Sequence, residues 1–299
     1  MGQGRVSARR LWVVIESLHA VTYFAPGCRR SLREVGLKGF WAGYFAARAA
    51  PLGAVGAGPV AAVFFNFDPA MVRRAVPSCW AAVDPATVTV RRAEAAAAAL
   101  HELCTPQARR ALSVALPTLR RAAARCAGDG RPMAGANREL WPSVEVALRR
   151  DGLPEPVIEL GEAWQACTTL REHRGDGHVA ALLTQGLGGL EAHLLAAGAL
   201  GVPADTLRDA RGWTGAQWDA GIARLAGRGL LRPDGVATAA GQDLHRLIEA
   251  MTDDLAAPAF AALDDEETAA LHSALLACAT QIQASGLYPF PNPLGLPAL

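Results

Sequence analysis

The residue types that carry out acid–base and anion chemistry are concentrated in one segment, from Arg171 to His178 (REHRGDGH). His173 and His178 are candidate catalytic residues, because an imidazole exchanges a proton near neutral pH. Arg171 and Arg174 share a helix face and are candidates for binding an anionic or carbonyl group of a ligand. Asp176 completes the candidate site. A structural role fits the same residues, with solvated arginines, core histidines and Asp176 as a helix cap.

The flanking sequence predicts how this segment is positioned. Apolar residues recur at helical spacing before it, from Val157 to Leu170. Gly175 suits the left-handed residue that ends a helix, and Asp176 suits the N-cap of the next one. We therefore predict a helix, a tight turn at Gly175–Gly177 and a second helix from about His178 to Leu200, bent at Gly186–Gly189. The free N–H groups at the turn would attract an anion.

The first half of the sequence contains most of the aromatic residues, with a few polar side chains among them. His19, Tyr23, Tyr44, Arg48 and Phe65 are further candidate ligand-binding residues. Arg48 follows Tyr44 by one turn of a predicted helix that Pro51 ends. Apolar walls with a few convergent polar groups are typical of a ligand pocket. An ordinary core in which Arg48 pairs with a buried aspartate such as Asp68 fits these residues equally well.

Neither a metal nor a cofactor is indicated by the residue spacing. His173, Asp176 and His178 do not match helical zinc motifs, in which the histidines lie four residues apart. The six cysteines form no CxxC pair, which predicts reduced thiols in a cytoplasmic protein. We therefore predict no metal site, and the sequence does not identify a cofactor.

The composition excludes several classes of protein. Of the 299 residues, 51% are hydrophobic and 19% are charged, which provides a packed core and argues against disorder. The net charge of +1 gives no overall electrostatic reason to expect nucleic acid or an anionic membrane as a partner. No apolar run approaches the roughly 18 residues that a membrane helix needs, so we predict no membrane span.

Two Gly- and Pro-rich segments, Gly128–Asn137 and Gly152–Pro156, predict loops and a boundary between two domains. Residues 1–150 would form a helical, aromatic-rich domain, and residues 151–299 a second domain with an extended, Pro-rich tail.

The second domain shows a short helix, a helix over Thr214–Gly227, a strand–turn–strand over Gly229–Thr238 and a long helix. This order resembles the winged-helix module of MarR-type regulators. The expected fold is mainly α, with a helical N-terminal half packed on a MarR-like winged-helix half with a small β wing.

A wider resemblance spans nearly the whole chain. Its motifs are LREHRGDGHVAAL from Leu170, RGW from Arg211, IEAMTD from Ile248 and PNPLGL from Pro291, with YFAARAAPLG, FFNFDP and RAVPSCW in the first half. These motifs resemble an actinobacterial helix-turn-helix family of unsettled biochemical function. The resemblance implies a fold and little about mechanism.

The charges of the second half argue against the simplest function for such a fold. Between Gly201 and Phe260 six arginines stand against eight acidic residues, whereas DNA binding draws affinity from neutralising several phosphates. We therefore expect a small-molecule-binding protein or an enzyme of actinobacterial, secondary metabolism on a degenerate winged-helix scaffold. No membrane partner is expected, and nucleic acid is disfavoured as a partner but kept as the alternative. A homodimer is compatible with this scaffold. An enzyme would use His173 or His178 for acid–base chemistry. The alternative is a ligand-responsive, MarR-type DNA-binding regulator.

The last fourteen residues, from Gly286 to Leu299, combine four prolines with apolar side chains and carry no charged side chain. Proline at this density excludes helix and sheet, so the tail must be extended. Its apolar surface favours docking. We predict that the tail runs back over the body of the protein and covers a groove.

Overall fold

Helices make up most of the described structure, and several of them begin at a side-chain N-cap. The computed structural model describes residues 6–150 and 152–299. Asp84, Thr105 and Thr214 each accept a hydrogen bond from a backbone N–H three residues later, and a helix begins after each of them. The helices are α1 (Ala8–His19), α2 (Val21–Phe24), α3 (Pro26–Glu34), α4 (Phe40–Ala49), α5 (Ala57–Val63), α6 (Pro69–Ala75), α7 (Pro85–Leu103), α8 (Pro106–Ala124), α9 (Pro132–Glu139), α10 (Trp141–Arg150), α11 (Glu155–Thr184), α12 (Gly189–Leu200), α13 (Ala204–Arg211), α14 (Gly215–Gly227), α15 (Ala239–Ala256) and α16 (Asp265–Ala284).

Helix α11 continues without interruption through Gly175 and Gly177, so the predicted tight turn at these residues is wrong. The reason is packing, because α1, α7, α8, α9 and α15 all contact α11. A Cβ on Gly177 would lie 3.1 Å from the Cβ of Leu255 and 2.9 Å from an Arg131 guanidinium nitrogen. Gly177 therefore allows α15 to approach closely rather than ending a helix. The chain bends after Thr184 instead, where α11 and α12 meet at 93°, which confirms the predicted bend at Gly186–Gly189.

Several other predicted helices are confirmed. Helix α4 carries Tyr44 and Arg48 as expected, and α14 begins after its N-cap Thr214. The predicted loop over Gly128–Asn137 is only partly present, since α9 begins at Pro132.

The predicted β wing is absent, because the described residues contain no β-strand. A single bridge joins Leu231 and Ala237. A neighbouring helix takes up one backbone N–H that a longer ladder would need, and the next helix begins directly after the segment. The N–H of Ala237 donates to the carbonyl of Gly198 on α12 at 3.1 Å, and the hydroxyl of Thr238 caps α15. Pro233 lacks an N–H altogether. The expected winged-helix fold with a β wing is thus replaced by an all-helical one.

The buried apolar residues form two clusters. The larger contains residues of α1–α4, α7 and α8 around the first half of α11, together with α16 and the C-terminal tail. The smaller runs from Ala181 to Ile248 and joins α12–α15. The predicted division after residue 150 falls beside residue 151, outside the described residues, and it stays a prediction. Within the described ranges, no single helix combines the length and hydropathy of a membrane span, whereas two bent helix pairs pass that test jointly.

The C-terminal tail docks on the body, as predicted. Tyr288 and Leu296 are each 4% exposed and belong to the larger cluster. The Tyr288 hydroxyl donates to the carbonyl of Ser17, and Arg211 donates to the carbonyl of Pro293. The tail therefore connects α1 with the end of α13.

Candidate functional site

A buried carboxylate, Glu172, lies at the centre of the charged groups inside the protein. Its side chain is 4% exposed. Arg48 donates to both carboxylate oxygens, at 3.3 and 3.2 Å, and Arg171 pairs with Oε1 at 3.0 Å. Arg171 also donates to Glu16 at 3.3 Å. Burial alone would raise the pKa of Glu172, but Arg171 and Arg48 overcome burial and hold that pKa at about 2.

Beside this ionic cluster, His19 connects Tyr23 to helix α11. The Thr168 hydroxyl donates to the carbonyl of Trp164 at 2.9 Å, so its oxygen accepts from His19 Nδ1 at 3.0 Å. The other ring nitrogen, Nε2, then carries no proton and accepts from the Tyr23 hydroxyl at 2.9 Å. Burial, followed by the charge of Arg171, lowers the pKa of His19 well below its usual value. His19 is therefore a neutral hydrogen-bond acceptor for Tyr23.

Tyr44 is hydrogen-bonded to the ionic cluster and packs on Tyr23. Arg48 donates to the Tyr44 hydroxyl oxygen at 3.4 Å, and the two tyrosine rings have centroids 4.8 Å apart. The Arg48 guanidinium lies 4.1 Å from the centroid of the Phe64 ring, which adds a cation–π contact. Among the described residues, none accepts the hydroxyl hydrogen of Tyr44. Its O–H is therefore free to donate to a ligand.

Tyr23 and Tyr44 line a small cavity between α2, α3 and α4. Its volume is about 120 Å³, comparable to a protein cavity that holds one benzene ring. The walls are mostly apolar, and two arginines belong to the lining. The lining consists of Thr22, Tyr23, Arg29, Leu32, Arg33, Leu37, Gly39, Phe40, Gly43, Tyr44 and Ala47. The cavity thus combines apolar walls with two tyrosines that are hydrogen-bonded to His19 and Arg48.

The two predicted catalytic histidines do not line this cavity. His173 is 3% exposed, and burial followed by the charge of Arg131 lowers its pKa to about 4. The His178 side chain is 25% exposed, and its Nδ1 lies 2.9 Å from the hydroxyl of Thr252. Burial lowers the pKa of His178 to about 4. Both imidazoles are neutral at pH 7.

The predicted anion-binding residues point to different partners. Arg171 belongs to the Glu172 cluster, whereas Arg174 pairs with Asp253 at 3.1 Å on α15 and lies 4.6 Å from the Trp12 ring centroid. These two arginines therefore do not form one clamp. Phe65 is partly buried against the smaller cluster.

Asp176 caps a helix, but not the predicted one. Its Oδ2 accepts from the backbone N–H groups of Met133 and Ala134, at 3.0 and 2.9 Å, at the start of α9. Burial raises the pKa of Asp176 to about 6, so a large part of its population is protonated in mildly acidic solution.

Glu16 and Glu172 are the site residues that the sequence analysis missed. The signal was present, since Glu16 interrupts the apolar run from Leu11 to Leu18 and is 3% exposed. A buried acid of this kind requires a cationic partner, here Arg171. Among the described residues, no group of three or more His, Cys, Asp or Glu is arranged to hold a metal ion.

Helices α13 and α14 form a helix–turn–helix arrangement. Gly212 ends α13 in the left-handed region, with φ of 77°, and Thr214 begins α14 with a capping box. The arginines exposed around these helices are already occupied by acids or carbonyl groups. These contacts are Arg208 with Asp205, Arg224 with Glu191, Arg228 with the Gly186 carbonyl, Arg232 with Asp234 and Arg246 with Asp243.

The model of a helix-turn-helix family matches residues 8–289. The chain belongs to that family. Membership in a helix-turn-helix family is compatible with nucleic-acid binding, which the charge count had made unexpected. No curated protein and no solved structure matches the chain.

Proposed function

We propose that this helix-turn-helix family member binds a small ligand in the cavity between Tyr23 and Tyr44. The ligand would have an apolar body about the size of one aromatic ring and an anionic or carbonyl group. One observation carries the proposal: an apolar-walled cavity of about 120 Å³ has two tyrosines in its wall that are hydrogen-bonded to buried His19 and Arg48. Such a combination is typical of small-molecule sites.

Each polar group has a distinct role in the proposed complex. The Tyr44 O–H donates to the ligand oxygen, because its own oxygen already accepts from Arg48. The Arg48 charge strengthens this donor, and Glu172 fixes the guanidinium in place. Tyr23 uses its hydrogen on His19, so it offers only an acceptor. Tyr44 therefore favours a ligand oxygen that accepts, such as that of a carbonyl or carboxylate, whereas a ligand hydroxyl would need Tyr23 as the acceptor of its hydrogen.

Isothermal calorimetry tests this proposal with benzoate, benzaldehyde and toluene as probes. We expect benzoate and benzaldehyde to bind more tightly than toluene, which has the ring but no acceptor. Ala47→Leu should abolish binding of all three probes, because Ala47 lines the cavity and is 5% exposed. Tyr44→Phe should bring benzoate to the affinity of toluene. Equal binding of benzoate by Ala47→Leu and the unchanged protein would contradict the proposal.

DNA binding through α14 is the second candidate, and the family match favours it. The occupied arginines around α13–α15 weigh against it, since phosphate contacts supply most non-specific affinity. A mobility-shift assay on the DNA upstream of the protein's own gene tests this candidate. Tight, salt-steep binding that Arg224→Ala weakens would support it.

The remaining expectations keep the status of predictions. Acid–base catalysis by His173 or His178, a cytoplasmic location and a role in actinobacterial secondary metabolism rest on residue types and on the motif resemblance. Substituting either histidine with glutamine in a substrate screen would test the first.

A further inference from the structure

A second, larger depression lies between α8 and α16. These helices are antiparallel, because Arg121 pairs with Glu267 at one end and Thr105 contacts Gln281 at the other. The groove between them measures about 740 Å³, and small residues such as Ala111, Ala115 and Ala274 line it. Both helices pack on the larger core through their opposite faces.

One apolar side chain stands out in this groove. Val114 on α8 is 83% exposed, more than any other large apolar residue of the described chain. An isolated exposed valine needs no explanation. Here, however, Val114 shares one face of α8 with the partly exposed Ala111 and Ala115, and these three side chains form an apolar strip that faces water.

The two ends of the groove carry charges of opposite sign that are not paired within the described chain. Arg110 lines one end and Glu266 the other, and neither forms an ion pair or a side-chain hydrogen bond with any described residue. Glu266 is next to Glu267, which pairs with Arg121, so Arg110 and Glu266 are separated by about eleven helical positions. At 1.5 Å per residue this separation is about 16 Å, with Val114 near its midpoint.

We propose that the groove binds a second copy of this chain in a twofold-symmetric dimer. The pattern is self-complementary: rotation by 180° about an axis near Val114 places Arg110 of each copy beside Glu266 of the other. This is the property that an isologous interface requires. Val114 of each copy then packs against the alanines and Val114 of the other.

The available surface is sufficient for such a dimer. Nineteen residues of α8 span about 28 Å, and two neighbouring helices present a face about 20 Å wide. Two facing copies bury on the order of 1,100 Å² in total, at the lower end for specific dimers. We therefore expect a reversible dimer rather than a permanent one.

Sedimentation equilibrium of the full chain over a range of concentrations is the first test. The average mass should rise from 31.3 kDa toward twice that value. Val114→Arg should raise the dissociation constant by about tenfold or more, because it places a cation in the apolar strip and beside its own symmetry mate. Val146→Arg is the matched control, since Val146 is 65% exposed on α10 and should leave the dimer unchanged.

A charge exchange is the second and more specific test. Arg110→Glu alone and Glu266→Arg alone should each weaken the dimer. In each variant, positions 110 and 266 carry the same charge, and they meet at both symmetry-related contacts. Mixing these two variants should restore association as a heterodimer, and the double variant should again form a homodimer. Circular dichroism of each variant checks that the helices are intact.

The outcomes separate the proposal from its alternatives. A folded wild-type protein that stays at 31.3 kDa at every concentration would overturn it. A dimer that Val114→Arg does not weaken would also overturn it, since another surface would then be the interface. Association restored only in the mixture and in the double variant would establish both the surface and its symmetry.

Discussion

Substitution of Glu172 by glutamine tests the importance of the buried ionic cluster most sharply. The change keeps the size of the side chain but removes the charge that Arg48 and Arg171 share. The pKa of Glu172 falls from its ordinary value of 4.5 to about 2 in the folded protein, a difference that corresponds to about 3 kcal/mol. Removing one partner of a buried ion pair costs about 3–5 kcal/mol. We expect Glu172→Gln to lower the free energy of unfolding by about 3 kcal/mol at pH 7.

The effect of Glu172→Gln on the free energy of unfolding should depend on pH in a defined direction. Because the pKa of Glu172 is lower in the folded than in the unfolded protein, its stabilisation is present above pH 4.5 and is lost as the pH falls toward 2. The difference between wild type and Glu172→Gln should therefore shrink over that window. Urea unfolding followed by circular dichroism measures both quantities.

A matched control uses an exposed ion pair. Glu155 pairs with Arg149 at 2.9 Å and its side chain is 59% exposed, so Glu155→Gln should cost less than about 1 kcal/mol. Equal, small effects of the two substitutions would refute the reasoning, because burial would then not strengthen the Glu172 cluster.

Three further predictions concern packing and capping. Asp176→Ala removes the cap of α9 and should cost about 1 kcal/mol of unfolding free energy. Asp176→Asn keeps an uncharged acceptor. Because folding raises the pKa of Asp176 to about 6, the stability of the Asn variant relative to wild type should rise as the pH increases from 4 to 7 in urea unfolding. Gly189→Ala would place a Cβ 1.8 Å from the Phe65 carbonyl oxygen and should cost about 3 kcal/mol, whereas Gly215→Ala meets nothing within 4 Å and should be neutral or slightly stabilising in the same assay. Truncation after Ser285 uncovers the surfaces that Tyr288 and Leu296 bury and should cost about 3 kcal/mol in thermal unfolding. Removal of only Ala298 and Leu299 should change the stability little. An unchanged melting temperature after the longer truncation would show that the tail does not stabilise the fold.

The helices that sequence analysis predicted correctly are those whose ends depend on neighbours in the chain. Thr214 caps α14 by accepting from the backbone N–H three residues later, so its effect can be predicted without the fold. The same holds for α4, which ends at Ala49, two residues before Pro51. Local chemistry of this kind is visible in a single sequence.

The errors arose where the decisive partner is distant in sequence. Position 177 holds a glycine because Leu255 of α15 packs against it. A glycine in the sequence is compatible with either close helix packing or a turn. The expected strands near Leu231 did not form because the N–H of Ala237 donates to Gly198 of α12 and because α15 begins directly after Thr238. The residue types of a hairpin were present, and the tertiary context decided otherwise.

The candidate site was predicted in its parts but not in its connections. Tyr44 and Arg48 were placed together because they lie one helical turn apart, and they are hydrogen-bonded. The partnership of Arg171 with Glu16, 155 residues away, could not be predicted from spacing. A general rule would have helped: an acid within an apolar helix face indicates a buried cation elsewhere in the chain.

The most direct test of ligand binding between Tyr23 and Tyr44 is a crystal structure of the protein with 4-bromobenzoate, read from the anomalous signal of bromine. The proposal predicts one strong bromine peak in the cavity lined by Leu37 and Tyr44, with the ligand carboxylate within hydrogen-bond distance of the Tyr44 hydroxyl. An empty cavity at a saturating ligand concentration, or a bromine peak only at another place in the protein, would contradict it.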